Sequence, residues 1–199
     1  MEVTLAVLLA YLVGSVPFAF LLARRHGVDL RRAGSGNVGA TNVLRTSGVP
    51  SAVVAMSLDA VKGAVAVIVA QRLTTEAVAP VAAGLASILG HIYPVWLRFR
   101  GGKGVATSAG VFAVLAPAAL GIASAVFLVA VWLTRYISVG SLAAAITLTA
   151  VASASELPGA VIVGAFIAAL IIGHRHKENV ARIRAGTERR IGQRLTLER

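Results

Sequence analysis

A single lysine set among glycines is the strongest chemical signal in this 199-residue chain. The stretch Phe99-Arg100-Gly101-Gly102-Lys103-Gly104-Val105-Ala106-Thr107 lies between two long apolar runs. Glycine lets backbone N–H groups approach an anion closely, and lysine adds a mobile positive charge. The pattern predicts that Gly101, Gly102, Lys103 and Gly104 bind phosphate or a similar anion. It is not a Walker A loop, which needs Ser or Thr directly after the lysine, where Gly104 stands. A cytoplasmic membrane loop needs basic charge, but it does not need glycine on both sides of that charge.

Two further polar segments carry the same kind of chemistry. Gly34-Ser35-Gly36-Asn37-Val38-Gly39-Ala40-Thr41-Asn42 is followed by Arg45. Its glycines predict a loop whose amides converge, Ser35, Asn37, Thr41 and Asn42 supply neutral hydrogen-bonding groups, and Arg45 supplies a fork suited to phosphate. A helix cap is the plainer reading, but a cap does not require this many Gly, Ser, Thr and Asn residues. Val43, Leu44 and Pro50 predict a short helix or turn after the loop. The third segment runs from Gly173-His174-Arg175-His176-Lys177-Glu178-Asn179 through Arg182, Arg184, Gly186, Thr187 and Glu188. On a helix leaving the membrane, His176 and Asn179 share a face; from Arg189 onward the chain reads as a solvated basic tail.

Three features lie outside these segments. Asp59 and Lys62 are a charge pair inside an apolar run, costly in a bilayer and either functional or self-neutralising. His91 stands in an otherwise apolar stretch and reads as a hydrogen-bonded structural residue, with a helix bend at Pro94. Arg135-Tyr136-Ile137-Ser138-Val139-Gly140-Ser141 opens another apolar run with hydroxyls at its start.

The elements that must position these groups are membrane helices. The chain is 57% hydrophobic and 14% charged, which excludes an ordinary soluble domain. Its net charge of +11 sits in the gaps between apolar runs, as the positive-inside rule requires of cytoplasmic loops, and not in a nucleic-acid-binding patch. The absence of Cys removes disulfides, thiolate nucleophiles and Cys-ligated metal. Apolar runs at 3–23, 51–71, 77–97, 105–116, 117–133, 137–153 and 157–173 predict an all-α bundle, a single domain over 1–199, with the first run retained as a span. Whether 105–133 is one helix or two divides the topologies. A crossing at Pro117 gives seven spans, an external N-terminus and a cytoplasmic C-terminus; five spans is the second reading. With seven, all three polar segments face the cytoplasm and can converge on one site.

Together these segments resemble the PlsY family, the bacterial acyl-phosphate:glycerol-3-phosphate acyltransferases. The resemblance rests on Ser-Gly-Asn-x-Gly-Ala-Thr-Asn at 35–42, Leu-Asp-x-x-Lys-Gly at 58–63, Gly90-His91-x-x-Pro94, the Phe99–Thr107 run, and His176-x-x-Asn179 with Gly186 and Glu188. It covers essentially the whole chain; Arg100 stands where the family usually has Lys. It implies transfer of a fatty acyl group from acyl phosphate to glycerol 3-phosphate, giving lysophosphatidate and phosphate, in phospholipid synthesis at the bacterial inner membrane. The expected partners are those two substrates and membrane lipids, with no nucleic acid, no metal and no cofactor, and the protein acting as a monomer. His176, Asn179, Ser35 and Lys103 are then the expected catalytic residues. Arg45, Ser141, Gly36, Asn37, Gly39, Thr41, Asn42, Gly101, Gly102 and Gly104 are the expected substrate-binding ones. No His here is followed five positions later by Asp, the pattern of soluble-type glycerolipid acyltransferases; Arg31, Trp96, Asn179 and Ala181 stand there instead. His176 is the candidate general base, but surrounding cations favour a positioning role, with a substrate phosphate accepting the proton. A small phosphate or anion transporter is the competing class, and it predicts polar residues along several spans. Most runs here are uniformly Ala, Val, Leu and Ile.

Overall fold

Proline and glycine punctuate the apolar runs, and the helices begin and end where they stand. In the computed structural model, which describes residues 1–193, α1 (Glu2–Ser15) stops at Val16-Pro17 and α2 (Phe18–Arg25) continues beyond. Proline lacks an amide donor and cannot sit inside the helical ladder. The short helix expected after the first glycine loop is α3 (Ala40–Ser47), and α4 (Val49–Leu73) starts at once with Pro50 in its first turn. α5 (Ala79–Ile92) is followed by a 3-10 turn (Val95–Leu97), then α6 (Val105–Leu115), α7 (Pro117–Thr134), α8 (Ile137–Ser153), α9 (Gly159–Arg175) and α10 (Lys177–Arg184). No strand occurs among the described residues. Positions 194–199 of the basic tail lie outside the described residues.

The stretch 105–133 is two helices. They part at Ala116, whose extended φ of −151° precedes the proline that opens α7. Pro94 does not bend a continuing helix as expected; α5 has already ended at Ile92. The expected seven spans do not appear as seven full-length helices. Four segments are long and apolar enough to cross a membrane: Glu2–Arg25, Val49–Leu73, Ala79–Leu97 and Pro117–Thr134. A fifth is added if α9 and α10, bent by 50° at their junction, count as one. The 11 residues of α6 rise only about 16 Å. Hydropathy marks where a chain is apolar, whereas the caps decide how much of that run is helix.

Small residues set the spacing of the bundle, as in membranes generally, where close backbone approach replaces hydrophobic burial. α1 and α5 fit each other at Gly14 and Gly90: a Cβ on Gly14 would strike the Ser87 backbone, and one on Gly90 that of Tyr11. α4 and α6 repeat the device, Gly63 resting on the Thr107 carbonyl and Gly110 on that of Ala60. The core between α5, α6, α8 and α9 contains Ile88, Ile92, Val111, Phe112, Leu148 and Val161. Large apolar side chains such as Trp132, Leu133, Ile146, Phe166 and Leu170 point outward, the surface a bilayer covers.

Candidate active site

The helix ends bring all three polar segments to one cleft of about 830 Å³. Ser35, Gly36, Asn37, Gly39, Thr41, Asn42 and Arg45 line it from the first loop and α3. Gly101, Lys103 and Gly104 come from the second loop, His176 and Asn179 from the start of α10, and Ser141 from α8. Gly102 is the one sequence-predicted site residue that lies off this cleft. Its amide donates to His91 O at 3.1 Å and its α-carbon lies against the His91 ring, so it fixes the loop instead of meeting a ligand.

Some of the loop amides expected to cradle an anion are bonded within the protein. The Gly101 amide donates to Ile92 O at 2.9 Å and the Gly36 amide to Ala33 O at 3.1 Å. The Ala40 and Thr41 amides that open α3, and those of Val105, Ala106 and Thr107 that open α6, have no backbone acceptor among the described residues, whereas the Asn42 amide already donates to Gly39 O at 2.9 Å. The helix starts capped by Gly39 and Gly104 can offer donors and positive dipole ends to an anion. Gly104, with φ +84°, supplies the left-handed turn that lets α6 begin there.

Asn42 is buried and acts within the protein. Its side chain accepts from the Ser35 amide at 2.9 Å and donates to Leu30 O and Ala33 O at 3.1 and 2.9 Å. It therefore ties the loop to α3 and leaves Ser35, which is exposed, at the rim of the cleft. Ser141 Oγ donates to Ile137 O, 2.9 Å back along its own helix.

A carboxylate organises the cationic end. Glu188, 7% exposed, accepts from Asn179 Nδ2 at 2.7 Å, Ser138 Oγ at 3.3 Å and Arg182 Nε at 2.7 Å. Asn179 in turn accepts from the Lys103 ammonium, so Glu188, Asn179 and Lys103 form one chain of contacts. Burial pushes the Lys103 amine down to about 8; Glu188 opposes this, and Arg182, Arg45 and Arg175 add to it. Arg45 is likewise shifted down by burial.

His176 stands just past the end of α9, where the chain bends into α10, so it and Asn179 do not lie on one continuous helix as the sequence suggested. It is 2% exposed, and its Nδ1 lies 2.8 Å from Ile172 O. A carbonyl only accepts, so Nδ1 carries the proton and Nε2 is left as an acceptor in the neutral ring. Burial first, and the Lys103 charge next, push the imidazole down to about 4.

The opposite end of the cleft is apolar, walled by Leu120, Ala123, Phe127, Leu128, Ala145 and Leu148 of α7 and α8. Nothing in the sequence points to this wall, because Ala and Leu facing a cleft read the same as Ala and Leu facing a neighbour. Sequence reasoning also left Glu188 and Ser138 without roles. The isolated acid after Gly186, within a run of arginines, was the available signal for Glu188. Asp59 and Lys62, read as a pair, and His91, read apart from them, meet in one cluster.

Fold and site define a polytopic membrane protein whose cleft is lined by cations and hydrogen-bonding groups together with apolar side chains. The family model for glycerol-3-phosphate acyltransferase matches residues 4–186, and the chain belongs to that family, the PlsY family. It is 44% identical over 197 residues to glycerol-3-phosphate acyltransferase 1 of Deinococcus radiodurans, covering 96% of this chain and 97% of the relative. It is 45% identical to a glycerol-3-phosphate acyltransferase of Thermus thermophilus, covering 94% of each. Its fold matches that of PlsY (YgiH), an integral membrane glycerol 3-phosphate acyltransferase, in crystal structures of two forms. Against the glycerol 3-phosphate form the TM-score is 0.92 at 38% identity, and against the lysophosphatidic acid form 0.90 at 37%, each covering 96% of both chains.

Proposed function

We propose that this protein transfers a fatty acyl group from acyl phosphate to glycerol 3-phosphate, producing 1-acyl-glycerol 3-phosphate and phosphate. The observation that carries the reading is the two-ended cleft, with Lys103 and Arg45 at one end and Leu120, Phe127 and Leu148 at the other. Both substrates bring a phosphate and the donor adds a lipid tail. The tail lies along α7 and α8, while the phosphates take the cationic end and the first turns of α3 and α6. Ser35, Asn37, Thr41 and Ser141 hold the polar groups of glycerol 3-phosphate.

In the reaction, the hydroxyl oxygen of glycerol 3-phosphate attacks the acyl carbon, the bond from that carbon to the phosphate oxygen breaks, and the phosphate departs with the electron pair. The hydroxyl proton passes to a phosphate oxygen. His176 accepts a hydrogen bond at Nε2 and orients the attacking hydroxyl, and Asn179 holds Lys103 at the phosphate. Burial and Lys103 make the imidazolium costly, which favours positioning over general-base work. Acyl phosphate is already activated, so holding its leaving group against cations supplies much of what catalysis needs.

The basic residues between apolar helices support a cytoplasmic placement of the cleft in the bacterial inner membrane, with an external N-terminus and seven crossings in which α6 and α8 traverse as short helices. One chain carries the entire cleft, which supports a single domain working as a monomer. The test of the reaction is incubation of purified protein, in lipid, with acyl phosphate and radiolabelled glycerol 3-phosphate. Labelled lysophosphatidate is expected, and its absence with folded protein overturns the proposal. His176→Gln is expected to retain a measurable rate; complete loss of activity with glycerol 3-phosphate binding intact would make His176 the base.

A further inference from the structure

The Asp59–Lys62–His91 cluster has no part in the reaction above, yet it occupies the bundle interior, where ionisable groups are expensive. Asp59 and Lys62 are 1% and 3% exposed. Asp59 Oδ1 lies 2.7 Å from Lys62 Nζ and 3.4 Å from His91 Nδ1, and Lys62 Nζ lies 3.1 Å from the same ring nitrogen. Lys62 also donates at 2.9 Å to Val16 O, a carbonyl at the break before Pro17. Despite these approaches, Asp59 Oδ1 receives no well-aligned hydrogen bond. Lys62 holds the cluster together, bonded to the Val16 carbonyl and within hydrogen-bond distance of His91 Nδ1, with the Asp59 carboxylate beside it. Such a group has to be fixed by what surrounds it, and it in turn fixes what rests on it.

What rests on it is the glycine turn. A side chain at Gly102 would overlap Nε2 of His91, so the turn lies directly on the imidazole. Gly101 and Gly102 donate to the carbonyls of Ile92 and His91, the free carbonyl end of α5, and Arg175 donates to Gly102 O at 3.3 Å from the other side. The peptide immediately before Lys103 is thus clamped between His91 and Arg175. Asp59 and His91 also reach the wall of the main cleft, and with Gly102 they share the lining of a second cavity of about 10 Å³. The same α4 carries Gly63, which rests on the Thr107 carbonyl at the start of α6, so one helix supports both ends of the Gly101–Thr107 segment.

We propose that Asp59, Lys62 and His91 are positioning residues for Lys103: the cluster on α4 and α5 sets the height at which the glycine turn delivers the ammonium to the phosphate end of the cleft. The assignment of phosphate to that end rests on the function proposed above; the positioning of the ammonium does not. A cluster that only held the bundle together would leave the environment of Lys103 unchanged in any variant that folds. A positioning cluster would not.

The experiment is competitive amine labelling of the full-length protein in lipid across pH, read residue by residue by mass spectrometry. Lys62 is buried and Lys103 half-buried, whereas Lys177 is exposed and serves as the internal standard. Seated among Glu188, Arg45, Arg175, Arg182 and His176, Lys103 should label with a midpoint of about 8. Two variants test the cluster. His91→Phe keeps a ring beneath Gly102 and drops the contacts to Asp59 and Lys62. Asp59→Asn combined with Lys62→Met removes both charges and leaves neither buried alone. In each, the Lys103 midpoint should rise toward 10.5 as the ammonium gains solvent, while Lys177 stays unchanged. In parallel, kcat/KM should fall by about tenfold or more, the scale of a misplaced catalytic group. An unchanged Lys103 midpoint in a folded variant overturns the proposal. Failure of both variants to fold also overturns it, because that assigns the cluster to stability. Labelling requires no acyl substrate, so a midpoint shifted in the variants of a wild-type protein that itself makes no lysophosphatidate would refute the proposed function and leave the positioning role standing.

Discussion

The charge on Lys103 should set the alkaline limit of activity. Its amine titrates at about 8, well below the ordinary 10.5, because burial removes water from the ammonium. The ratio kcat/KM follows the ionisation of the free enzyme and free substrate. With that midpoint, about nine-tenths of the enzyme carries the charge at pH 7 and about one-tenth at pH 9. The wild-type ratio should therefore fall by about tenfold over that interval. Lys103→Arg should lower the rate, since a planar fork replaces a compact ammonium, but should move the alkaline limb beyond reach because a guanidinium stays charged. Glu188→Gln removes the carboxylate that pulls the Lys103 value upward, so its limb should shift to lower pH. The assay is the initial rate of radiolabelled lysophosphatidate formation at subsaturating glycerol 3-phosphate, from about pH 6 to 10, corrected for spontaneous loss of acyl phosphate. A wild-type profile flat to the upper end, or a Lys103→Arg profile that still breaks near 8, would refute the assignment. The same displacement has a thermodynamic side. Between 8 and 10.5 the unfolded chain holds the proton that the folded one has released, so this group makes stability rise with pH in that window. Below it, keeping the ammonium charged costs the folded state roughly 3 kcal/mol, and Lys103→Met should raise the unfolding temperature while removing activity.

His176 should act in the opposite pH range. Its imidazole is neutral in the folded protein down to about 4, while the unfolded ring takes up a proton near 6.5, so its contribution is complete above 6.5 and lost as pH falls toward 4. Unfolding midpoints across that window should drop in the wild type and drop less in His176→Gln. Gly102→Ala should cut kcat/KM by about two orders of magnitude by driving the turn off the His91 ring. Gly121→Ala, whose added methyl would meet nothing within 4 Å, should leave the rate unchanged, and equal rates for the two would remove the clamp from the account. Ala145→Phe fills the apolar end of the cleft and should shift preference toward shorter acyl phosphates, read as kcat/KM across a chain-length series.

How far the sequence could be read depended on whether the relevant physics was local. Apolar runs broken by Gly and Pro made the all-helical membrane class legible, and the split at Pro117 follows from a ring that cannot accept the helical ladder. The convergence of the three polar segments was also legible, because charge placement puts them on one side of the bundle. Span count was harder: α6 covers 11 residues because Gly104 and Ala116 cap it, and hydropathy does not register caps. Least legible were contacts across sequence distance. The glycines at 101 and 102 announce close backbone approach, but nothing local says that their amides go to α5 and not to a ligand. Nothing near Asp59 points to His91, 32 positions on.

Glu188 shows why such distant contacts matter to the chemistry. Lys103, Arg45, Arg175 and Arg182 gather at one end of the cleft, and the carboxylate bonded into that group is Glu188. Arg182 pairs with it directly at 2.7 Å, and Lys103 reaches it through Asn179. One carboxylate cannot neutralise several cations, so the cleft by itself retains positive charge that burial makes costly. Removing Glu188 would leave the cations mutually repelling, whereas each further carboxylate bonded into the group would shrink the deficit left for a substrate to fill. On the proposed function, an arriving phosphate supplies negative charge that the cleft lacks. Because the adjoining wall is apolar, the ligands of the proposed reaction fit this lining as a phosphate carried on a lipid chain beside a second phosphate that bears none.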